Sequence, residues 1–396
     1  MSGADLLSGL RVLDFSRVLA GPFCTALLAD LGAEVIKVEP PGGDDYRHIG
    51  PFKEGESALF LLMNRGKKSL TLNLKSARGA ALARELAGKS DVVVENFKPG
   101  VAGRLGIDHE TLREVNPRLV YASISGFGQS GPLADRPAYD IIAQAMAGLM
   151  SVTGDPEGPP TRAGESMADL CGGLYAAWAI MAALFARERS GQGRRIDVAM
   201  FDSIFSLLPT ALAQYLYAGT NPGRTGNRHP ISSPFGSFRA ADGEVIIAVA
   251  NDTLFVRLAE AMGAPDLARD PRFAGDELRT CNEPTLRTAI EAWTGRLTVA
   301  EVVEILERRG VPASPIWSVE QAAESAQVAF RRLLATAEHP RLGEIPLIEQ
   351  PVHFSDAPRG RHRPPPLLSE HSEAVLGEIL GIGRTEYEAL RRDGAV

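Results

Sequence analysis

The chain has 396 residues, 44% of them hydrophobic, with 40 glycines and 27 prolines, enough for a sizeable core in two domains or one elaborated domain. Its formal net charge of -7 is carried by interspersed acids and bases, so neither a nucleic-acid footprint nor a polybasic membrane anchor is expected, although a local basic patch is compatible with it. Three widely separated cysteines, Cys24, Cys171 and Cys281, share no ligand spacing and the seven histidines form no HxxxH or HExxH, which points to a reducing compartment and no metal site.

MSGADLLSGLRVLDF lacks the basic and apolar regions of a signal peptide. The longest apolar run, Leu174 to Ala186, is too short to span a bilayer and ends at Arg187. A soluble cytoplasmic protein with no membrane partner is expected. RVLDF (11–15) predicts a strand, Ala20-Gly21-Pro22 a tight turn, and Pro22 the first turn of a helix over 22–31 that Gly32 ends. EVIKVE (34–39) is the next strand, giving a β-α-β unit. KSLTLNL (68–74), DVVVEN (91–96) and RLVYASIS (118–125) continue the strands, with helices through SARGAALARELAGK and, capped by Asp108, HETLREV. Such alternation is the signature of an open α/β layer.

Helical patterns then dominate: 139–150, 169–189 and 201–217, with RIDVAM a strand or helix lead-in. The run 219–234, rich in Gly, Pro, Ser, Thr and Asn, reads as a linker. SFRAADGEVIIAVA predicts a hairpin, and helical patterns at 252–262, 283–294 and 298–309 make the next part a smaller α+β domain. Strands resume at 343–354, HRPPPLLSEHS is extended, and one last helix covers 370–391.

GFGQSG (126–131) matches a dinucleotide fingerprint, but Pro132 follows at once and LADRPAYD cannot supply the helix that would cradle a pyrophosphate. SRVLAGPF is either an ordinary tight turn or a helix start offering N–H groups to an anion. Arg65, Lys67 and Lys68, with Lys98 and Arg104, are either solvated surface or a phosphate-holding rim. Asn96 either caps its turn or hydrogen-bonds a thiol-bearing arm. Asp140 is either an N-cap or one of two pocket carboxylates. Asp169 opens a small-residue run, SMADLCGGLYAAWAIMAALFA, and is either a helix cap or a nucleophile with room for an acyl group beside Ala168, Gly172 and Gly173.

Taken in order, GLRVLDFSRVLAGPFCTALLADLGAEVIKVE, NRGKKSLTLNL, VENFKPG with Arg104 following, YASISGFGQSGP, RPAYD and MADLCGGLYA cover almost the whole length. In these the chain resembles the class III CoA-transferase family, which also contains acyl-CoA racemases and carnitine-related transferases. The resemblance implies an open, Rossmann-like large α/β domain (1–218, completed by 331–396), a linker or flap at 219–234, and a smaller α+β domain at 235–330. It also implies an interlocked, ring-like homodimer. It places Asp169 at the catalytic aspartate and Asp140 near the reacting centre. Val18, Leu19, Ala20, Leu72, Lys75, Asn96, Phe97 and Arg104 fall on segments that contact CoA, and Arg136 and Tyr139 on a loop near the nucleotide.

The implied reaction moves CoA from an acyl-CoA, succinyl-CoA or a related dicarboxylic thioester, to a carboxylic acid. It runs through an aspartyl mixed anhydride and an aspartyl-CoA thioester, with no metal and no tightly bound cofactor. Some relatives carry glutamine at Leu19 and glutamate at Asp140, and a flap richer in glycine than RTGNRHP and ISSPFG (224–236). The racemase branch has a histidine near the segment that here reads SGPLADRPAYD, without one, so transfer is expected over racemisation, while a CoA-binding protein without turnover stays open. The late segments PFGSFRAADGEVIIAVAN, EHPRLGEIPLIEQP and RPPPLLSEHS are most similar to the dicarboxylate branch, with Arg17, Arg228 or His229 open as partner of a distal carboxylate.

Overall fold

The apolar runs of the first 200 residues pair into one sheet in the computed structural model, which describes residues 6–355 and 363–396. Its strands are β1 (Arg11–Asp14), β2 (Glu34–Glu39), β3 (Lys68–Thr71), β4 (Val92–Glu95), β5 (Val120–Ser125) and β6 (Arg195–Ala199). They run in the order β3-β2-β1-β4-β5-β6, and every neighbouring pair is parallel. Strands buried on both faces need apolar side chains in succession, and β4 and β5 supply them as VVVE and VYASIS.

On one face Val12, Val92, Val94 and Ile124 pack against α1 (Ala20–Asp30) and against a long helix whose Ala176 and Ile180 reach the same cluster. On the other, Leu13, Ile36, Val93 and Tyr121 pack against Leu82 and Leu86 of α2 (Ala77–Ala87). Val375, Leu376, Tyr387 and Leu390, from near the far end of the chain, join that second core. The strand order reverses between β1 and β4, so their connections leave to opposite sides and a crevice opens beyond their carboxyl ends.

By contacts the chain divides into two compact units, one of Met1–Leu149, Ala163–Leu212 and Gln327–Val396, the other of Met150–Arg162 and Ala213–Ala326. The second holds a three-stranded antiparallel sheet, β7 (Phe235–Arg239), β8 (Glu244–Ala248) and β9 (Ala313–Pro315), ordered β9-β8-β7. Helices Asp252–Ala261, Glu283–Thr294 and Val299–Arg308 cover it around Phe238, Val245, Leu258 and Ile290. The stretch 150–162, read from sequence as part of the first domain, belongs here: Arg224 Nε donates to Asp155 O at 3.0 Å and its Nη2 to Gly158 O at 2.6 Å. Residues 219–234 are likewise built into this unit, with a bridge between Arg228 and Gly236.

Other differences are local. The expected last helix is two, Ser372–Leu380 and Arg384–Arg392, because Gly381 takes φ 73° and ends the first. The two-residue strands of the hairpin at 52–57 carry no pattern from which to expect it, and of the hairpin at 334–348 only the second strand, Gly343–Ile348, falls within the strands expected at 343–354. His362, in the extended segment, lies outside the described residues.

Candidate active site

A cavity of about 280 Å³ lies at the crevice, bounded by the turns that follow β1, β4 and β5 and by the start of the long helix. The first turn is wound around Asp14, the last residue of β1. Asp14 Oδ1 accepts the N–H of Ser16 at 2.9 Å and also its hydroxyl, while Oδ2 accepts from Thr25 Oγ1 at 2.6 Å and Lys67 Nζ at 3.1 Å. Gly21 makes this winding possible: a Cβ there would stand 2.1 Å from that of Ser16. The N–H groups of Ala20 and Gly21 donate to no group among the described residues, and Leu19 gives α1 no side-chain cap. Free donors at a helix start favour an anion.

Asn96, at the end of β4, grips the neighbouring turn. Its Oδ1 accepts the Arg17 N–H at 2.8 Å and its Nδ2 donates to the Arg17 carbonyl at 2.7 Å. Its role here is therefore to hold the Arg17 peptide. The Arg17 guanidinium sits 5.5 Å from the Phe97 ring centroid and 3.5 Å from Asp45.

The third wall comes from α3 (Asp140–Met146) and α4 (Met167–Ser190), and one carboxylate joins them. Ser166 does not cap α4 with its side chain. Asp140 Oδ1 accepts the Ala168 N–H at 2.7 Å instead, and Oδ2 accepts from Gln144 Nε2 at 2.7 Å. Gln144 is fully buried and its Oε1 accepts the Ala163 N–H at 2.9 Å, which fixes the approach to the helix. Asp140 thus caps α4 rather than its own helix, where it is the first residue.

Asp169, one residue further, projects into the cavity from the first turn of α4. Burial, and secondarily the Asp140 charge, push its carboxyl up to about 7. A carboxylate so poorly solvated is a better nucleophile than one in water.

Six of the expected binding residues line the cavity with Asp169: Val18, Ala20, Asn96, Phe97, Arg136 and Tyr139. Four do not. Leu19 is buried with Tyr46 and Phe60, Leu72 is 1% exposed in the sheet core, and Lys75 and Arg104 are exposed outside the cavity. Asp140 acts from behind, through Ala168. The basic turn, open in the sequence between solvated surface and a phosphate rim, is engaged internally instead: Arg65 pairs with Asp30, Lys67 is buried on Asp14, and Lys68 pairs with Glu34. Room beside Asp169 is also smaller than the glycines suggested, since a Cβ on Gly173 would meet Ala20 O at 2.6 Å. Sequence reading missed Asp45, Ser125 and Met200 on the wall. Ser125 ends β5 and Met200 follows β6, at the carboxyl ends where an open α/β sheet binds ligands, and that position was the available signal. Arg228 and His229 lie in the second unit, Arg228 paired with Glu283 at 3.0 Å.

The Gly126–Gly131 turn leads into no helix before Asp140, so the dinucleotide reading fails in the structure as it did in the sequence.

A doubly wound sheet with a cavity at its switch point, a carboxylate on the first turn of one helix and free N–H groups at the start of another has the ligand site of an open α/β protein. Residues 7–372 match CoA-transferase family III. The chain belongs to that family and is a CoA-transferase. It is 45% identical to acetyl-CoA:oxalate CoA-transferase of Acetobacter aceti, over 94% of this chain and 95% of that protein. It is 42% identical to succinate–glutarate CoA-transferase of Agrobacterium fabrum, over 96% and 97%. Among solved structures, a CAIB/BAIF family protein from Brucella suis superposes with a TM-score of 0.84 at 39% identity, covering 95% of this chain and 100% of that one.

Proposed function

We propose that the protein moves CoA from a dicarboxylic acyl-CoA, succinyl-CoA foremost, to a carboxylate acceptor, with Asp169 as the covalent nucleophile. The observation that carries this is the placement of Asp169: a carboxylate pushed up to about 7, in the cavity at the switch point and beside the open start of α1. The names of the relatives, succinate–glutarate and succinyl-CoA:mesaconate CoA-transferases among them, support the substrate class.

Asp169 attacks the thioester carbonyl, the C–S bond breaks, and a mixed anhydride and CoA thiolate result. The thiolate attacks the aspartyl carbonyl, releasing the donor carboxylate and leaving an aspartyl-CoA thioester. The acceptor carboxylate attacks that thioester, giving a second anhydride and free thiolate. Attack of the thiolate on the acceptor's acyl carbon forms the new acyl-CoA and restores Asp169. No proton is gained or lost over the cycle. Each addition places negative charge on a carbonyl oxygen, and the N–H groups of Ala20 and Gly21, which donate to no group among the described residues, are the donors assigned to receive it. Arg17, Lys98 and Arg136 on the cavity wall, with Lys75 and Arg104 farther out, take the phosphates of CoA.

The working form is a soluble cytoplasmic homodimer. The pairing alone is supported by a bare apolar stripe on α4, Leu174, Trp178, Met181 and Phe185, spaced to share one helix face. By length and composition α4 would also suffice to cross a bilayer, being longer than the run read from the sequence, but its other face is buried against the sheet.

Incubation with succinyl-CoA, hydroxylamine trapping and peptide mapping tests the mechanism. An adduct on Asp169, absent from Asp169→Ala, is expected. Turnover with no adduct, or washing of solvent deuterium into the α-position of an acyl-CoA, would move the chemistry elsewhere.

A further inference from the structure

A buried carboxylate apart from Asp169 and Asp140 holds the backbone beside the cavity wall. Asp44 Oδ1 accepts the N–H of Val18 and that of Tyr46, both at 3.0 Å. Its Oδ2 lies 2.7 Å from Lys37 Nζ, and both side chains are 0% exposed. Lys37 Nζ also donates to the Ser16 carbonyl at 3.0 Å. Burial would pull the Lys37 ammonium down, yet Asp44, Asp14 and Glu39 hold it above its ordinary value.

What this pair holds is unusual. Val18 has φ 67°, the left-handed region, which a β-branched residue enters only under constraint. The peptide groups of the turn are gripped in succession. Asp14 accepts the Ser16 N–H, Lys37 donates to the Ser16 carbonyl, Asn96 takes both groups of Arg17, and Asp44 takes the Val18 N–H. Conformations so over-determined occur where the geometry itself is used. Val18 lines the cavity, and two residues later α1 begins with its free N–H groups. Tyr46 is buried with Leu19 and Phe60 in a cluster that also receives Leu170, the neighbour of Asp169. Its hydroxyl has no hydrogen-bond partner among the described residues.

We propose that the buried Lys37–Asp44 pair is a positioning device for acyl transfer: Asp44 clamps the backbone of Val18 and Tyr46 together, and so fixes the left-handed turn that sets the donors opening α1 against Asp169. The inference rests on the transfer reaction proposed above. A pair that served only to hold the fold would need no strained residue at its partner, and buried ion pairs are in general weak sources of stability.

Glycine provides the test, because it adopts φ near +67° without a clamp. Exchange between succinyl-CoA and glutarate is measured for Lys37→Met/Asp44→Leu, which removes the clamp while filling its space, and for Asp44→Asn, each with and without Val18→Gly. With Val18 present, kcat falls by about thirtyfold or more while KM for succinyl-CoA stays within about threefold, the mark of an interaction made in the transition state. Adding Val18→Gly recovers at least about tenfold of the loss, a coupling that a purely structural pair would not show. Unchanged kcat, equal losses in both backgrounds, or clamp-free chains that fold in neither background would overturn the proposal. A wild type that exchanges nothing would overturn the reaction itself, and with it this role.

Discussion

At Asp169, burial and the Asp140 charge act in the same direction, and the consequences divide between rate and stability. The folded carboxyl is raised from 3.8 to about 7, so between those values the native state holds a proton that the unfolded chain has released. Its favourable contribution is therefore present at low pH and lost as pH rises through about 7. Above that, the ionised nucleophile weighs against the fold by on the order of 2 kcal/mol, well under the full shift because the group is partly exposed. Asp169→Asn should consequently melt a few degrees higher than wild type at pH 8, with no such gain at pH 4, while transfer falls by about a thousandfold or more. Thermal melts at the two pH values check it; equal shifts at both would deny the raised carboxyl. Asp140→Asn removes the second cause. The acid limb of kcat/KM should then move from about 7 to lower pH, because less like charge opposes ionisation of Asp169. An unmoved limb would mean that burial alone sets it.

At the scale of elements, α1 and α4 cross closely enough to place Asp169 over the start of α1, and one glycine permits it. A Cβ at Gly173 would stand 2.6 Å from Ala20 O and 3.0 Å from Phe23 Cδ1. At Gly172 it would meet Met200 and Ile124 at 3.5 and 3.6 Å, ordinary contact. Gly173→Ala should therefore cost about 1–3 kcal/mol and, by displacing the nucleophile from the donors, lower kcat by about a hundredfold. Gly172→Ala should be neutral or stabilising by up to about 1 kcal/mol through helix propensity. Melting and turnover of the two variants distinguish them, and like behaviour would remove the close crossing from the explanation. The two glycines look alike in MADLCGGLYA, since only the neighbouring helix tells them apart. Strands β1, β2, β4 and β5, by contrast, are legible because burial on both faces writes itself as consecutive apolar residues, whereas RIDVA (195–199) leaves strand and helix lead-in open. What the sequence pattern hid was partnership across distance. Asp140 reads as a cap for the helix it opens or as a pocket carboxylate, yet it caps another helix, and Arg65 and Lys67 read as solvated surface or a phosphate rim although they are buried on Asp30 and Asp14.

For the molecule as a whole, the same long helix poses a question that one chain does not answer. Its inner face closes the sheet through Ala176, Ile180 and Leu184, while Trp178 and Phe185 stand 69% exposed on the other, with Leu174 and Met181 between and beside them. Apolar side chains recurring every three or four residues along one face remain bare at a standing cost, which a partner surface would remove. A second copy of this chain is the partner available at any concentration at which the protein exists. Light scattering should give about twice 42.4 kDa for the wild type. Replacing both aromatics, Trp178→Glu with Phe185→Glu, should bring the mass down towards 42.4 kDa, because two carboxylates would be buried without partners in the closed interface. Both residues point away from the sheet, so the far-ultraviolet circular dichroism should stay that of the wild type. A wild type that scatters as a single chain would refute the assembly, and a dimer indifferent to both substitutions would place its interface on another face.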